Sequence, residues 1–416
     1  MATLSLGKVD AGAMPASKSD FLKRYHQTMQ VSLGQTKFRD EGNGAWRDFE
    51  VQAGTEVRGL QDFLHNAGFL PKTDMLDGIF GYSTQAAVRL FQEYVRTVEG
   101  IDCEPDGAVG PNTRTHIQRW MTSGLRSEWA NWSSHSPSPE YTQWLSLLDK
   151  SKTHFKANGS PMLDLVNRHS NNGDTRKIDE WEASSDKVHL IGLRQGEAAA
   201  ATSIDYKGRF TRNNDDLFIL LINGMVFKFW GSTDPTPVHA RNDGNPFLVE
   251  GQHHYQFGWH KVDDAQEVYR ALRAATDGVL VYRVPEGAGL TAAEVADGLA
   301  PTPNDTINIH WSGSGRSNWS AGCQVIAGTS YINNKGNLVS CAKYAAGDYT
   351  QLGGRPWKGR GAYNVFTDLL LSYGPSGVRT IVYTLGRDET LRLADVPEWK
   401  EANFVANTVK RMMDAR

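Results

Sequence analysis

The feature that most constrains this chain is a short repeat. Asp77-Gly78-Ile79-Phe80-Gly81, with Thr84 after it, returns as Asp106-Gly107-Ala108-Val109-Gly110 with Thr113. Each copy predicts a tight Asp-Gly turn, an apolar plug and the start of a helix, and Pro111 suits the first turn of the second of these helices. Upstream, Leu60, Phe63, Leu64 and Ala67 fall at the i, i+3, i+4, i+7 spacing of an amphipathic helix that Gly68 is placed to end. Thr84, Ala87, Val88 and Phe91 repeat that spacing. The pattern predicts a small three-helix domain over residues 51–125.

Leu60-Gln61, Gly68-Phe69, the first Asp-Gly block, Thr84, Ala87-Val88 and Phe91-Gln92 together resemble the peptidoglycan-binding domain of bacterial wall enzymes, over about residues 55–121. The resemblance implies peptidoglycan, its glycan or its stem peptides, as a partner. A helical bundle with no ligand is the alternative, because most of these residues build core and turns.

A different pattern begins near residue 188. Two β-rich runs, residues 217–222 and 225–230, flank Asn223-Gly224, a pair that tolerates the positive φ angles of a two-residue hairpin turn. Further strands are expected at residues 255–259, 278–284, 306–310, 324–327 and 379–385, with a helix over 362–373. Many short strands with few helices predict a β-sandwich or mixed sheet over residues 188–390. Residues 126–187 read as a linker rich in Ser and Pro followed by a helical connector. Residues 1–50 carry Phe21, Leu22, Tyr25 and Met29 at helical spacing, and residues 391–416 a C-terminal helix over 399–413. The chain as a whole is predicted to be α+β and multidomain.

Chemistry concentrates in INIHWSGSGRSNWSAGCQVI, where Cys323 follows His310 by thirteen residues across a Gly/Ser/Asn-rich loop. A thiolate is a nucleophile, a nearby imidazole can take its proton, and a glycine before the cysteine lets the backbone aim an N–H at an oxyanion. The pattern is similar to the signature of the L,D-transpeptidase (YkuD-type) family. On that resemblance His310 takes the place of the base, Ser320 and Gly322 those of the serine and glycine, and Cys323 that of the nucleophile. It implies a β-sandwich catalytic domain, no cofactor and a thioester route on stem peptides, ending in transpeptidation, hydrolysis or D-amino-acid exchange. Ala321, where many members have histidine, Val325, where many have arginine or asparagine, and the short His310–Cys323 spacing mark a divergent branch.

Gln252-His253-His254-Tyr255-Gln256-Phe257-Gly258-Trp259-His260-Lys261 is the other polar concentration. As a cleft strand it would offer Tyr255 and His260 to substrate, from one face only if a bulge intervenes, since their spacing is odd. Gln324, directly after the cysteine, joins these two as a substrate-binding candidate. A zinc site built from His253, His260, His310 and Cys323, making the chain a zinc-dependent wall peptidase, is a second reading. A non-catalytic wall-binding protein is a third.

Composition narrows the partners. A net charge of −3 over 416 residues, with no long Lys/Arg run, argues against nucleic acid. No window approaches the roughly 18 apolar residues of a membrane span. Cys103, Cys323 and Cys341 are odd in number and unhelpfully spaced for a disulfide framework or a zinc module. Residues 1–8 lack the basic start and apolar stretch of a signal peptide, although peptidoglycan lies outside the cytoplasm. The expected route is therefore a specialised secretion system or phage-type release, and the expected further partners are a secretion component or a cognate immunity protein.

Overall fold

The repeat owes its form to two buried glutamines. In the computed structural model, which describes residues 3–13, 37–41, 45–194, 214, 216–235, 244–261, 267–284, 296–314, 318–374 and 380–386, helix α1 spans Glu56–Ala67, α2 Tyr82–Thr97 and α3 Pro111–Ser123. Gln61 of α1 sets its Nε2 3.0 Å from Asp77 Oδ1, 3.1 Å from the Ile79 carbonyl and 3.0 Å from Thr84 Oγ1, while its Oε1 accepts the Gly78 N–H at 2.8 Å. Gln92 of α2 makes the same set with Asp106 (2.8 Å), Ala108 (3.0 Å), Thr113 (3.0 Å) and Gly107 (2.9 Å). Gly78 and Gly107 sit at φ 74° and 77°, where a side chain is strained. Each repeat is thus a turn latched by the preceding helix.

The described part of the N-terminal segment belongs to this unit instead of preceding it. Leu4 bridges to Val109 and Val9 to Ile79, so residues 3–13 cross both repeats. Strand β1 (Lys8–Asp10) runs parallel to β4 (Glu50–Gln52), and β2 (Lys37–Arg39) pairs with β3 (Trp46–Asp48). Asp10 caps α1 through the N–H groups of Val57 (2.9 Å) and Arg58 (2.7 Å). The helices expected around Phe21 and over residues 399–413 lie outside the described residues.

The stretch read as a linker is pinned. The Asn223 amide donates to the Trp132 carbonyl at 3.0 Å, the Ser138 N–H donates to the Gly224 carbonyl at 2.9 Å, and Ser138 Oγ caps α4 (Pro139–Asn158). Helix α5 (Pro161–Arg168) follows.

The β half runs β5 (Thr175–Arg176), β6 (Val188–Leu193), β7 (Asp216–Ile222), β8 (Met225–Ser232), β9 (Asn245–Leu248), β10 (Gly251–His260), β11 (Tyr269–Ala274), β12 (Val281–Val284), β13 (Ile309–Trp311), β14 (Gln324–Ile332), β15 (Leu338–Ser340), α6 (Ala362–Tyr373) and β16 (Ile381–Gly386). Asn223 and Gly224 turn β7 into β8 at φ 49° and 76°, as their sequence predicts. Of the two expectations the sheet is the mixed one, with parallel and antiparallel pairs, and instead of a sandwich it forms a ring, because the order β11-β13-β14-β8-β7-β6-β16-β10 returns to β11. The cause is β10, ten residues long, which pairs with β16 through Gly251–Tyr255 and with β11 through Tyr255–His260. One strand therefore joins both ends of the sheet.

Alternation along β7 sorts the two cores. Leu217, Ile219 and Leu221 pack with Tyr141, Leu148 and Phe155 of α4, whereas Phe218, Leu220 and Ile222 join Phe366 and Leu369 of α6 in a core continuous with the helical domain. Helix α2 is buried on its polar side too. Arg89 clasps Asp368 of α6 with both nitrogens (2.8 and 2.7 Å), Arg270 of β11 adds a third bond to Asp368 at 2.8 Å, and the Tyr373 hydroxyl donates to the Gly68 carbonyl at 2.6 Å.

Candidate functional site

Strand β13 runs parallel to β14 in the register Ile309↔Gln324 and His310↔Val325. Cys323 thus sits beside Asn308, which shares a face of the strand with His310 because residues two apart point the same way. The Asn308 N–H donates to Cys323 Sγ at 3.4 Å, and the thiol donates to the Thr306 carbonyl at 3.3 Å. His310 Nδ1 lies 2.9 Å from the Trp311 carbonyl and 3.1 Å from the Tyr269 hydroxyl. A carbonyl can only accept, so Nδ1 carries the proton and Nε2 keeps its lone pair. His260 stacks on His310 at a ring distance of 4.1 Å and an angle of 19°, with Asn308 Nδ2 3.3 Å from its Nδ1.

Ser320 and Gly322 shape the turn before the sulfur. The Gly322 N–H donates to Ser320 Oγ at 3.3 Å, and the Ser320 N–H to Asn318 Oδ1 at 2.7 Å. A Cβ at Gly322 would lie 2.6 Å from Pro246 Cγ and 3.1 Å from its carbonyl oxygen. Glycine is required there by crowding. His260, His310, Ser320 and Cys323 line one cleft of about 810 Å³, with Trp319 and Tyr349 on its walls.

Burial sets the protonation states. It pushes the Cys323 thiol up, against the opposing Asn308 N–H and Ser320 hydroxyl. It pulls His310 down to about 4, and pulls His260 down to about 2 with added repulsion from His310 and Lys261. At neutral pH the group is therefore a thiol beside two neutral imidazoles, with no resting ion pair.

Two expected substrate residues are not brought here. β10 pairs with β11 without interruption from Tyr255↔Ala274 to His260↔Tyr269, so no bulge intervenes and the odd spacing puts Tyr255 on the face opposite His260. Tyr255 is fully buried, edge-on to Tyr383. Gln324, one residue past the cysteine, likewise faces away, donating to the Thr233 carbonyl and accepting from the Tyr383 hydroxyl, each at 3.0 Å. The four zinc candidates do not converge either: the His253 ring lies between the Val249 carbonyl (2.9 Å) and Thr175 Oγ1 (3.0 Å). Among the described residues no group of three or more His, Cys, Asp or Glu could hold a metal ion.

Tyr269 joins the site with no signal in the sequence, whereas Asn308 and Lys261, which lie inside the two polar stretches quoted above, join it without having been given a role there.

Comparison with known proteins bears on the helical unit. Residues 53–117 match the model of the putative peptidoglycan binding domain family, so a domain of that family is present. A second hollow of about 800 Å³ opens on it between α1 and α3, bordered by Leu60, Phe63, Arg114 and Arg119. No curated protein matches the chain. Among solved structures, a fused Zn-dependent amidase/peptidase/peptidoglycan-binding domain-containing protein from Clostridium acetobutylicum ATCC 824 is similar at 16% identity, over 70% of this chain and 90% of that one, with a TM-score of 0.21. A likeness that slight carries no argument about fold or chemistry.

Proposed function

We propose that the chain is a peptidoglycan-modifying cysteine acyltransferase of L,D-transpeptidase type, with Cys323 as nucleophile and His310 as general base. The observation that carries this reading is the His310 ring, held through Nδ1 against the Trp311 carbonyl and lining the same cleft as Cys323, in a chain that also has a peptidoglycan-binding domain. Because the resting pair is neutral, the proton moves from Sγ to Nε2 as sulfur attacks the stem carbonyl. The Cys323 backbone N–H is the oxyanion donor in this reading, a contribution of about 3 kcal/mol; the Gly322 N–H is already engaged by Ser320. Collapse of the tetrahedral adduct breaks the amide bond. The imidazolium returns its proton to the departing amine of the terminal D-amino acid, and a thioester remains. An amine from a second stem resolves it to a cross-link, a free D-amino acid to an exchanged terminus, water to a shortened stem.

The thiol's bond to the Thr306 carbonyl and its raised pKa favour a second reading, a wall-binding protein with an inert cysteine. Incubating the full chain and C323A with purified peptidoglycan, and following muropeptides by mass spectrometry, separates the two. New or shortened muropeptides that vanish with C323A support the transferase; identical products from both proteins remove it. Under the transferase reading the chain acts at the cell wall, delivered by a specialised secretion route and countered by an immunity protein in the producing cell.

A further inference from the structure

We infer that Trp319 is a saccharide platform at the mouth of the cleft, so that the site takes stem peptides still joined to their sugar. This rests on the proposed function for what is bound, and on the following geometry for where.

Trp319 is 63% exposed, and it alone is aromatic among the large apolar side chains exposed in the described residues. A frayed loop does not explain this, because its neighbours Asn318 and Ser320 are 1% and 6% exposed. Asn318 Nδ2 donates to Ser232 Oγ at 3.1 Å and to the Asp234 carbonyl at 2.6 Å, and its Oδ1 accepts from the Ser320 N–H. Backbone anchored on both sides presents the indole to solvent, on the wall of the cleft that holds Cys323. An exposed indole face with negative π density suits the apolar C–H face of a pyranose. The reach also fits. In a stem the acyl carbon lies three residues from the sugar, about 10 Å when extended, and the four residues from Trp319 to Cys323 span at most about 14 Å.

The test is binding to full-length C323A, which needs no turnover, using a disaccharide-tetrapeptide and the sugar-free tetrapeptide in parallel calorimetric titrations. C323A/W319A is expected to bind the disaccharide form about tenfold more weakly while its affinity for the free peptide moves less than twofold. C323A/W319F, which keeps a ring, recovers most of the loss. Tryptophan emission from C323A should change on adding the disaccharide form, and that change should be lost in C323A/W319F. Equal losses for both ligands, or no loss together with an unchanged emission response, overturn the proposal. Turnover that persists in C323A sinks the thioester mechanism and leaves the Trp319 result standing.

Discussion

The two regions rich in polar side chains treat them in opposite ways. In the helical repeat, each glutamine amide meets the turn it latches, with Gln61 and Gln92 engaging an aspartate, a carbonyl, a threonine and a glycine N–H alike. At the cleft, the imidazoles are held neutral, and Asn308, whose amide nitrogen meets His260, leaves its Oδ1 buried without a partner. Buried polar groups are ordinarily paired, so the two satisfied latches mark structure, whereas the open amide oxygen beside the thiol leaves an acceptor within the candidate site.

His310→Ala breaks the comparison hardest on the reactive side. Turnover of peptidoglycan should fall by about 10²–10⁴ under conditions where a melt shows the variant still folded, measured by product analysis beside that melt. Asp368→Ala does the reverse at the join between the regions. It leaves Arg89 buried without its carboxylate and takes from Arg270 one of two, the other being Glu41, and should cost about 3–5 kcal/mol in denaturant unfolding. Gln61→Leu and Gln92→Leu should each cost about 1–3 kcal/mol, the loss expected when a turn's N–H and carbonyl partners are stranded. Unequal costs would show that the two repeats are not energetically equivalent.

Acidity gives a test that needs no substitution. His310 and His253 have folded pKa values lowered to about 4 and about 3, so between their ordinary 6.5 and those values the unfolded chain binds protons that the folded chain does not. Stability should therefore decline as pH falls from 6.5 toward 4, and H253Q should flatten part of the slope in melts across that range. If His310 is the base, the acid limb of the rate profile should lie near pH 4 and not near 6.5.

Much of this was legible in the chain. The doubled Asp-Gly block gave away the repeat and Asn223-Gly224 the hairpin, whereas Gly322, expected for its freedom to turn, is required by the approach of Pro246. What was hidden depends on distant partners. Nothing in residues 251–260 announces that their two halves pair with different strands, so the ring was invisible, and with it the face on which Tyr255 falls. Gln324 was misplaced by nearness in sequence, since adjacent strand residues point oppositely. The stripe of Thr84, Ala87, Val88 and Phe91 located α2, but apolar spacing is silent about Arg89 and Glu93, whose burial depends on α6 and β14 arriving from 279 and 238 residues away.

The clasp of Arg89 and Arg270 on Asp368 has a mechanical consequence. A module on a flexible tether lets its partner sweep a volume of wall, whereas this one is bolted through its middle helix to the sheet that carries the sulfur. Under the proposed function the protein would be a caliper: wall held by one jaw would be offered to the other at one separation, and the spacing of stems would decide which of them is reached.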